Sequence, residues 1–214
     1  MPDARRLVLL RHGRTAWNAI GRGQGHADVG LDEVGQAQAR LAGPWVAATF
    51  APSVLWTSDL ARARETAAHV EEATGLTARV DPRLREYDLG ERTGLTMAEF
   101  AERFPAEHDA WNRGEYGAVP GAESTADVHD RIVPAARELL EATAPGGTGV
   151  AVTHGASLRV AVATLLGWPE DVVRGLRGMT NCAVAVLVTD GSDRPLRLDA
   201  WNATPDFASS PAMY

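Results

Sequence analysis

Residues 6–13 read RLVLLRHG and residues 149–155 read GVAVTHG. Each is an unbroken apolar run that stops on His-Gly, at His12-Gly13 and at His154-Gly155. A short apolar run without polar alternation is the pattern of a strand buried on both faces, as in a parallel sheet covered by helices. VLWTS (54–58) and CAVAVLV (182–188) have the same character, whereas ARVDP (78–82) and LRLDAW (196–201) are weaker and suit sheet edges. Helical patterns lie between these runs. After Ser58-Asp59, either of which can serve as N-cap, Leu60, Ala63, Ala67 and Val70 recur at helical spacing. From about Ser124, Val128, Ile132, Ala135 and Leu139 make a second stripe, with a kink expected at Pro134. A helix over 32–50 is expected to kink or split at Gly43-Pro44, and one over 156–166 is apolar nearly all round. Strands alternating with helices specify an α/β fold, with a mostly parallel central sheet and helices on both faces.

A length of 214 residues suits a single domain, expected over 1–202 and followed by a loose tail at 203–214. The net charge of −7 argues against a nucleic-acid partner, because binding a phosphate backbone needs a basic face. All 21 basic residues are arginine, so any local anion site must use planar guanidinium forks. No apolar run approaches the roughly 20 residues that cross a bilayer. The short apolar stretch near the N-terminus is not followed by a cleavage site, so a cytoplasmic protein is expected. The single cysteine, Cys182, excludes an intrachain disulfide and a cysteine-built metal site, and no histidine pair has the spacing of a zinc motif. The stretch 105–123 is rich in Pro, Gly and aromatic residues, lacks a clear period, and is expected to be a lid or specificity loop. Within it Trp111, Arg113 and Tyr116 suit either a pocket mouth or ordinary packing. An exposed edge strand leaves a homodimer open.

In open α/β sheets, ligands gather outside the carboxyl ends of the strands, so both histidines should lie at one edge of the sheet. Each glycine lets a ligand approach the backbone closely, and the amides beyond it can point at an anion. Arg11 immediately precedes His12. Arg62 and Arg64 stand near the start of the helix after 54–58, and being two apart only one of them should face the site. Glu86 falls in the loop RLREYDLGERTG (83–94).

Taken in order, LVLLRHGRTAWN, SDLARARETA, LREYDLGERTGLT and VTHGASLR resemble the histidine phosphatase superfamily, also called phosphoglycerate mutase-like, over Leu7 to about Arg159. The resemblance implies a phosphoglycerate mutase-like three-layer sandwich acting on a small-molecule phosphomonoester without metal or cofactor. It implies that His12 is the nucleophile, forming a phosphohistidine, and that Arg11, Arg62 and His154 hold the phosphoryl oxygens. Glu86 would protonate the leaving oxygen and then deprotonate water. Asn18, in RHGxTxxN, and Gln24, in GRGQGHADVGL, would stand on the substrate side with Gly13 and Gly155.

The pattern departs from the family at one turn. Where the family commonly has Gly-x-Trp-Glu-Gly, this chain has Gly90-Glu91-Arg92-Thr93-Gly94, so the support of Glu86 is the open question. Ser124 in PGAES resembles the family's GGES and is expected to cap the following helix, with Glu123 either facing the site or complementing the helix dipole. Cofactor-dependent mutases of the family usually carry an insertion between the acid and the second histidine, so the resemblance, with a compact segment between Glu86 and His154, implies hydrolysis rather than mutase chemistry. ARRLVLLRHG, the Gly-Met run before Asn181 and LDAWN resemble the actinobacterial glucosyl-3-phosphoglycerate phosphatases, which implies a phosphorylated sugar acid as substrate. Phosphoglycerate mutase activity and a noncatalytic phospho-ligand module are the alternatives.

Overall fold

In a computed structural model, which describes residues 4–189 and 195–206, the first apolar run forms strand β1 (Arg5–Arg11). It sends Leu7 and Leu9 into one core and Val8 and Leu10 into another, which is why the run carries no polar alternation. The remaining elements are α1 (Ala16–Ala19), α2 (Glu33–Phe50), β2 (Val54–Thr57), α3 (Ala61–Thr74), β3 (Arg79–Val80), α4 (Met97–Arg103) and α5 (Pro105–Asn112). They are followed by α6 (Thr125–Ala142), β4 (Thr148–Thr153), α7 (Gly155–Leu166), α8 (Glu170–Gly175), β5 (Val184–Thr189) and β6 (Arg197–Ala203). The strands are ordered β3-β2-β4-β1-β5-β6. The first four in that order run parallel, and β5 pairs antiparallel with both β1 and β6.

Helices α2 and α3 bury Val46, Ala63, Ala67 and Val70 against Val8 and Leu10. On the opposite face α6 and α7 bury Val128, Ile132, Leu139, Leu158 and Ala161 against Leu7 and Leu9. The result is a three-layer α/β sandwich, and at about 1.5–3 kcal/mol for each large apolar side chain these two interfaces dominate its stability. Among the described residues no helix is long and apolar enough to cross a membrane.

Three local expectations are corrected. Helix α2 runs through Gly43-Pro44 without splitting; Gly43 is a packing position, where a Cβ would lie 2.2 Å from the His69 carbonyl oxygen on α3. The stretch 105–123 is not a continuous loop. Pro105 takes the first position of α5, where its missing N–H costs nothing, and Trp111 and Tyr116 pack at 4.4 Å between ring centroids. Both aromatics are half-buried and pack against the core, while Arg113 pairs with Glu115 at the surface. The expected tail begins later than 203, since Ala203 closes β6; residues from 207 onward lie outside the described part.

The register places the site. Arg11 is opposite Thr153 and Thr57 is opposite Val152, so the next residue on each strand, His12, His154 and Ser58, leaves the same sheet edge side by side. The antiparallel β5 starts at this edge, and the Cys182 amide before it donates to the Arg11 carbonyl at 3.1 Å.

Candidate active site

The two histidine rings lie 5.1 Å apart between centroids, tilted by 57°. His12 is 3% exposed and His154 fully buried. His12 Nδ1 lies 2.6 Å from the carbonyl oxygen of Gly13, an acceptor only, so Nδ1 carries the hydrogen and Nε2 presents a lone pair. At His154 the assignment is opposite. Arg62 Nε, which can only donate, reaches its Nδ1 at 3.2 Å, so Nε2–H donates to Ser58 Oγ at 2.9 Å. Burial, then the charges of Arg11 and Arg62, hold the His12 pKa well below the ordinary histidine value. Burial and then Arg62 do the same to His154. Both rings are neutral near pH 7.

The arginines around them bond to neutral acceptors. Arg62 is 1% exposed and donates to Gly25 O at 2.8 Å and Ala27 O at 2.9 Å, besides His154. Burial brings its pKa down to about 10, which leaves it charged at neutral pH. Arg11 donates to the Met179 carbonyl, and its buried Nε has no hydrogen-bond partner among the described residues. Gly155 makes room for it: a Cβ there would stand 3.3 Å from Arg11 Nε. Arg64, two residues from Arg62, points elsewhere and lines a groove of about 430 Å³ with Asp28, Asp59, Glu65 and Glu71. His12, Arg11, Glu86 and His154 take no part in that groove.

Glu86 is fixed without the family's tryptophan. Its Oε2 accepts from the Ala156 amide at 3.0 Å, and its Oε1 accepts from the Ser157 amide at 2.8 Å and from the Tyr87 amide at 3.0 Å. Two of these donors belong to the first turn of α7, where amides lack intrahelical acceptors and are available to orient the carboxyl group. The tryptophan's position is filled by Arg92, whose guanidinium lies 4.2 Å from the Trp111 ring centroid and 5.6 Å from that of Phe100. A planar cation on aromatic faces thus takes up packing that a ring would supply.

The other expected residues have defined partners. Asn18 Oδ1 accepts from the Thr15 amide at 3.2 Å and from Asn181 Nδ2 at 3.3 Å, and Asn181 Nδ2 also donates to His12 O at 3.0 Å. Gln24 Oε1 accepts from Thr15 Oγ1 at 3.0 Å. The Gly13 amide, which the sequence pattern offers to an anion, donates instead to Thr66 Oγ1 at 3.0 Å. The absent side chain at Gly13 serves packing, since a Cβ would lie 2.7 Å from Gly35 O on α2.

Neither Ser58 nor Asp59 caps α3. Asp28 reaches from the 24–30 segment to accept from the Ala61 amide at 2.7 Å, while Asp59 forms an ion pair with Arg85 at 2.6 Å. Ser124 does cap α6, in a reciprocal arrangement with Asp127. Glu123 is held by Arg131, at 2.8 Å from Nε and 2.7 Å from Nη2. Asn181 and Arg131 were not singled out from the sequence. Arg131 did carry a signal, because it falls between Val128 and Ala135 on the buried stripe of α6, a rare place for a charge without a partner.

A mostly parallel sheet thus gathers two neutral histidines, two arginines and a carboxylate at one edge, an arrangement whose chemistry suits a phosphoryl group. The chain belongs to the histidine phosphatase superfamily: the model of its branch 1 matches residues 7–204. A glucosyl-3-phosphoglycerate phosphatase of Mycobacterium tuberculosis is 39% identical over 96% of this chain and 98% of its own length. A probable phosphoglycerate mutase of Yersinia enterocolitica is 34% identical over 91% of this chain and 89% of its own. The structure of a mycobacterial glucosyl-3-phosphoglycerate phosphatase in complex with VO3 superposes with a TM-score of 0.83 at 39% identity, covering 94% of this chain and all of that one. The membership makes this chain an enzyme of the phosphomonoesterase type.

Proposed function

We propose that the protein hydrolyses a phosphorylated sugar acid, with glucosyl-3-phosphoglycerate as the first candidate, through a phosphohistidine on His12. The observation that carries the reading is the state of His12: buried, neutral, with Nδ1 tied to Gly13 and the Nε2 lone pair beside two arginines whose hydrogen bonds go to neutral acceptors. In-line attack by Nε2 forms the N–P bond as the ester P–O bond breaks. Arg11 and Arg62 offset the charge on the equatorial oxygens, and the His154 Nε2–H now held by Ser58 is the hydrogen that ring can offer to one of them. Glu86 gives its proton to the leaving oxygen. In the second step Glu86 takes a proton from water as the water oxygen attacks phosphorus, the N–P bond breaks, and inorganic phosphate leaves. Asn18 and Gln24 use their side-chain oxygens on the protein and keep their amide –NH2 groups for substrate. With guanidinium groups supplying the positive charge, no metal is assigned a role.

The test is phosphate release, in excess chelator, from glucosyl-3-phosphoglycerate and 3-phosphoglycerate by the wild type and by His12→Ala. Release that needs His12 and survives the chelator is the expected result, and release that needs a metal overturns the mechanism. The 34% identity to a probable phosphoglycerate mutase favours one second reading, transfer of the phosphoryl group back to a hydroxyl of a phosphoglycerate. Product analysis separates the two, since a mutase returns an isomer and no free phosphate.

A further inference from the structure

One side chain grips the backbone of the Glu86 loop at three carbonyls. Arg131, on α6, donates through Nη1 to the carbonyls of Arg83 at 3.0 Å and Arg85 at 2.7 Å, and through Nη2 to the carbonyl of Glu86 itself at 2.7 Å. The same guanidinium forms the two-pronged ion pair with Glu123, whose Oε2 accepts in addition from the Asp88 amide at 2.8 Å. His26 Nε2 approaches the Glu86 carbonyl at 2.9 Å, while its Nδ1 lies 3.4 Å from Asp88 Oδ2. Residues 83, 85 and 86 are therefore tied directly to one cation that is about one-sixth exposed, at 17%, and Asp88 is tied to it through Glu123. On its other side, the Glu86 carboxylate meets the first turn of α7. Helices α6 and α7 pack together on one face of the sheet, so Arg131 and the α7 amides hold the loop between them.

We infer that Arg131 is a positioning residue for proton transfer by Glu86: its guanidinium fixes the 83–86 backbone so that the carboxyl stays at the α7 N-terminus, beside the second histidine. The inference rests on the reading of Glu86 as proton donor. A guanidinium is required because three carbonyls and two carboxylate oxygens are met by one planar fork, which an ammonium cannot reproduce. Glu123 keeps that fork aligned, and this gives the Glu in PGAES a structural partner in place of a direct role on substrate.

The test uses leaving-group dependence. The kcat/KM for a phosphomonoester reports phosphoryl transfer to His12. That step needs the proton of Glu86 when the leaving group is an alkoxide, and hardly at all when it is p-nitrophenolate. Arg131→Ala and Arg131→Lys are compared with the wild type and with Glu86→Gln, using 3-phosphoglycerate or another alkyl ester that the wild type turns over, and p-nitrophenyl phosphate.

The expected result for Arg131→Ala is a drop of about 10²-fold on the alkyl ester against less than about threefold on p-nitrophenyl phosphate, since positioned acid catalysis contributes on the order of 10²–10⁴. Arg131→Lys keeps a charge and most of the packing, so it should show the same selectivity to a smaller extent, and it carries the test if the alanine variant does not fold. Equal losses on both substrates, or no loss on either, overturn the positioning role while leaving Glu86 in place. A Glu86→Gln variant with no leaving-group selectivity overturns the reading of Glu86 itself, and the role of Arg131 falls with it.

Discussion

The ends of β1 and β4 are nearly the same sequence in nearly the same place, and they do different things. Both strands leave the sheet on His-Gly, at positions adjacent in register, and both histidines are buried and neutral. What separates them is who holds the ring nitrogens. At His12, among the described residues, the only hydrogen-bonded nitrogen is Nδ1, and its partner is the backbone of the next residue. At His154 both nitrogens are held by side chains from the β2–α3 segment, Arg62 and Ser58. A ring with a bare lone pair can attack, while a ring bonded at both nitrogens can orient neighbours and donate. The glycines differ in the same way. Gly13 admits the close approach of α2, and Gly155 admits the guanidinium of Arg11.

The most direct way to break this comparison is to exchange the two roles by mutation. His12→Ala should lose on the order of 10⁴-fold or more in kcat, as removal of a nucleophile does. It should also leave no acid-labile phosphoprotein after a quench. His154→Ala should lose about 10²–10³-fold, in the range for a preorganised donor, and should still form the phosphoprotein slowly. A phosphoprotein that survives in His12→Ala and disappears in His154→Ala would reverse the assignment.

The glycines sharpen the contrast at a smaller scale. Gly155→Ala should push the Arg11 guanidinium aside by a few tenths of an ångström and lower kcat/KM by less than about tenfold, with little change in the urea midpoint. Gly13→Ala should do the opposite. Its Cβ meets a backbone oxygen rather than a flexible side chain, so stability should fall by about 1–3 kcal/mol, read in the same urea titration.

The legible part of this molecule is the part fixed by periodicity. Both-face burial of β1, β2, β4 and β5 could be read from apolar runs, and the sheet edge carrying His12 and His154 from the residues that end those runs. Arg62 over Arg64 was decided by resemblance rather than by spacing, which gave only that one of the two should face inward. What escaped the sequence is long-range polar pairing. Asp28 capping α3 from more than thirty residues away, Arg131 holding 83–86, and Asn181 bridging His12 O and Asn18 are contacts between segments that no local pattern links. Prolines misled in both directions. Pro44 sits inside a helix that does not split, and Pro105 opens a helix where a loop was expected.

The smallest expected effect concerns what the two histidines have in common. In the unfolded chain each titrates near 6.5, whereas in the folded protein burial and the neighbouring arginines hold both well below that. As pH falls through 6.5 the unfolded state takes up protons that the folded state refuses. Stability is therefore complete above 6.5 and declines as pH drops toward the folded values. Each histidine should contribute a slope of at most about 1.4 kcal/mol per pH unit between pH 6 and 5, measurable as urea midpoints at three or four pH values. His12→Ala and His154→Ala should each remove a similar share of that slope, although they differ widely in activity. If His154→Ala left the slope unchanged, His154 would be protonated in the folded protein. Its Nδ1 could then not accept from Arg62, and the distinction drawn between the two ring environments would have to be redrawn around a charged His154.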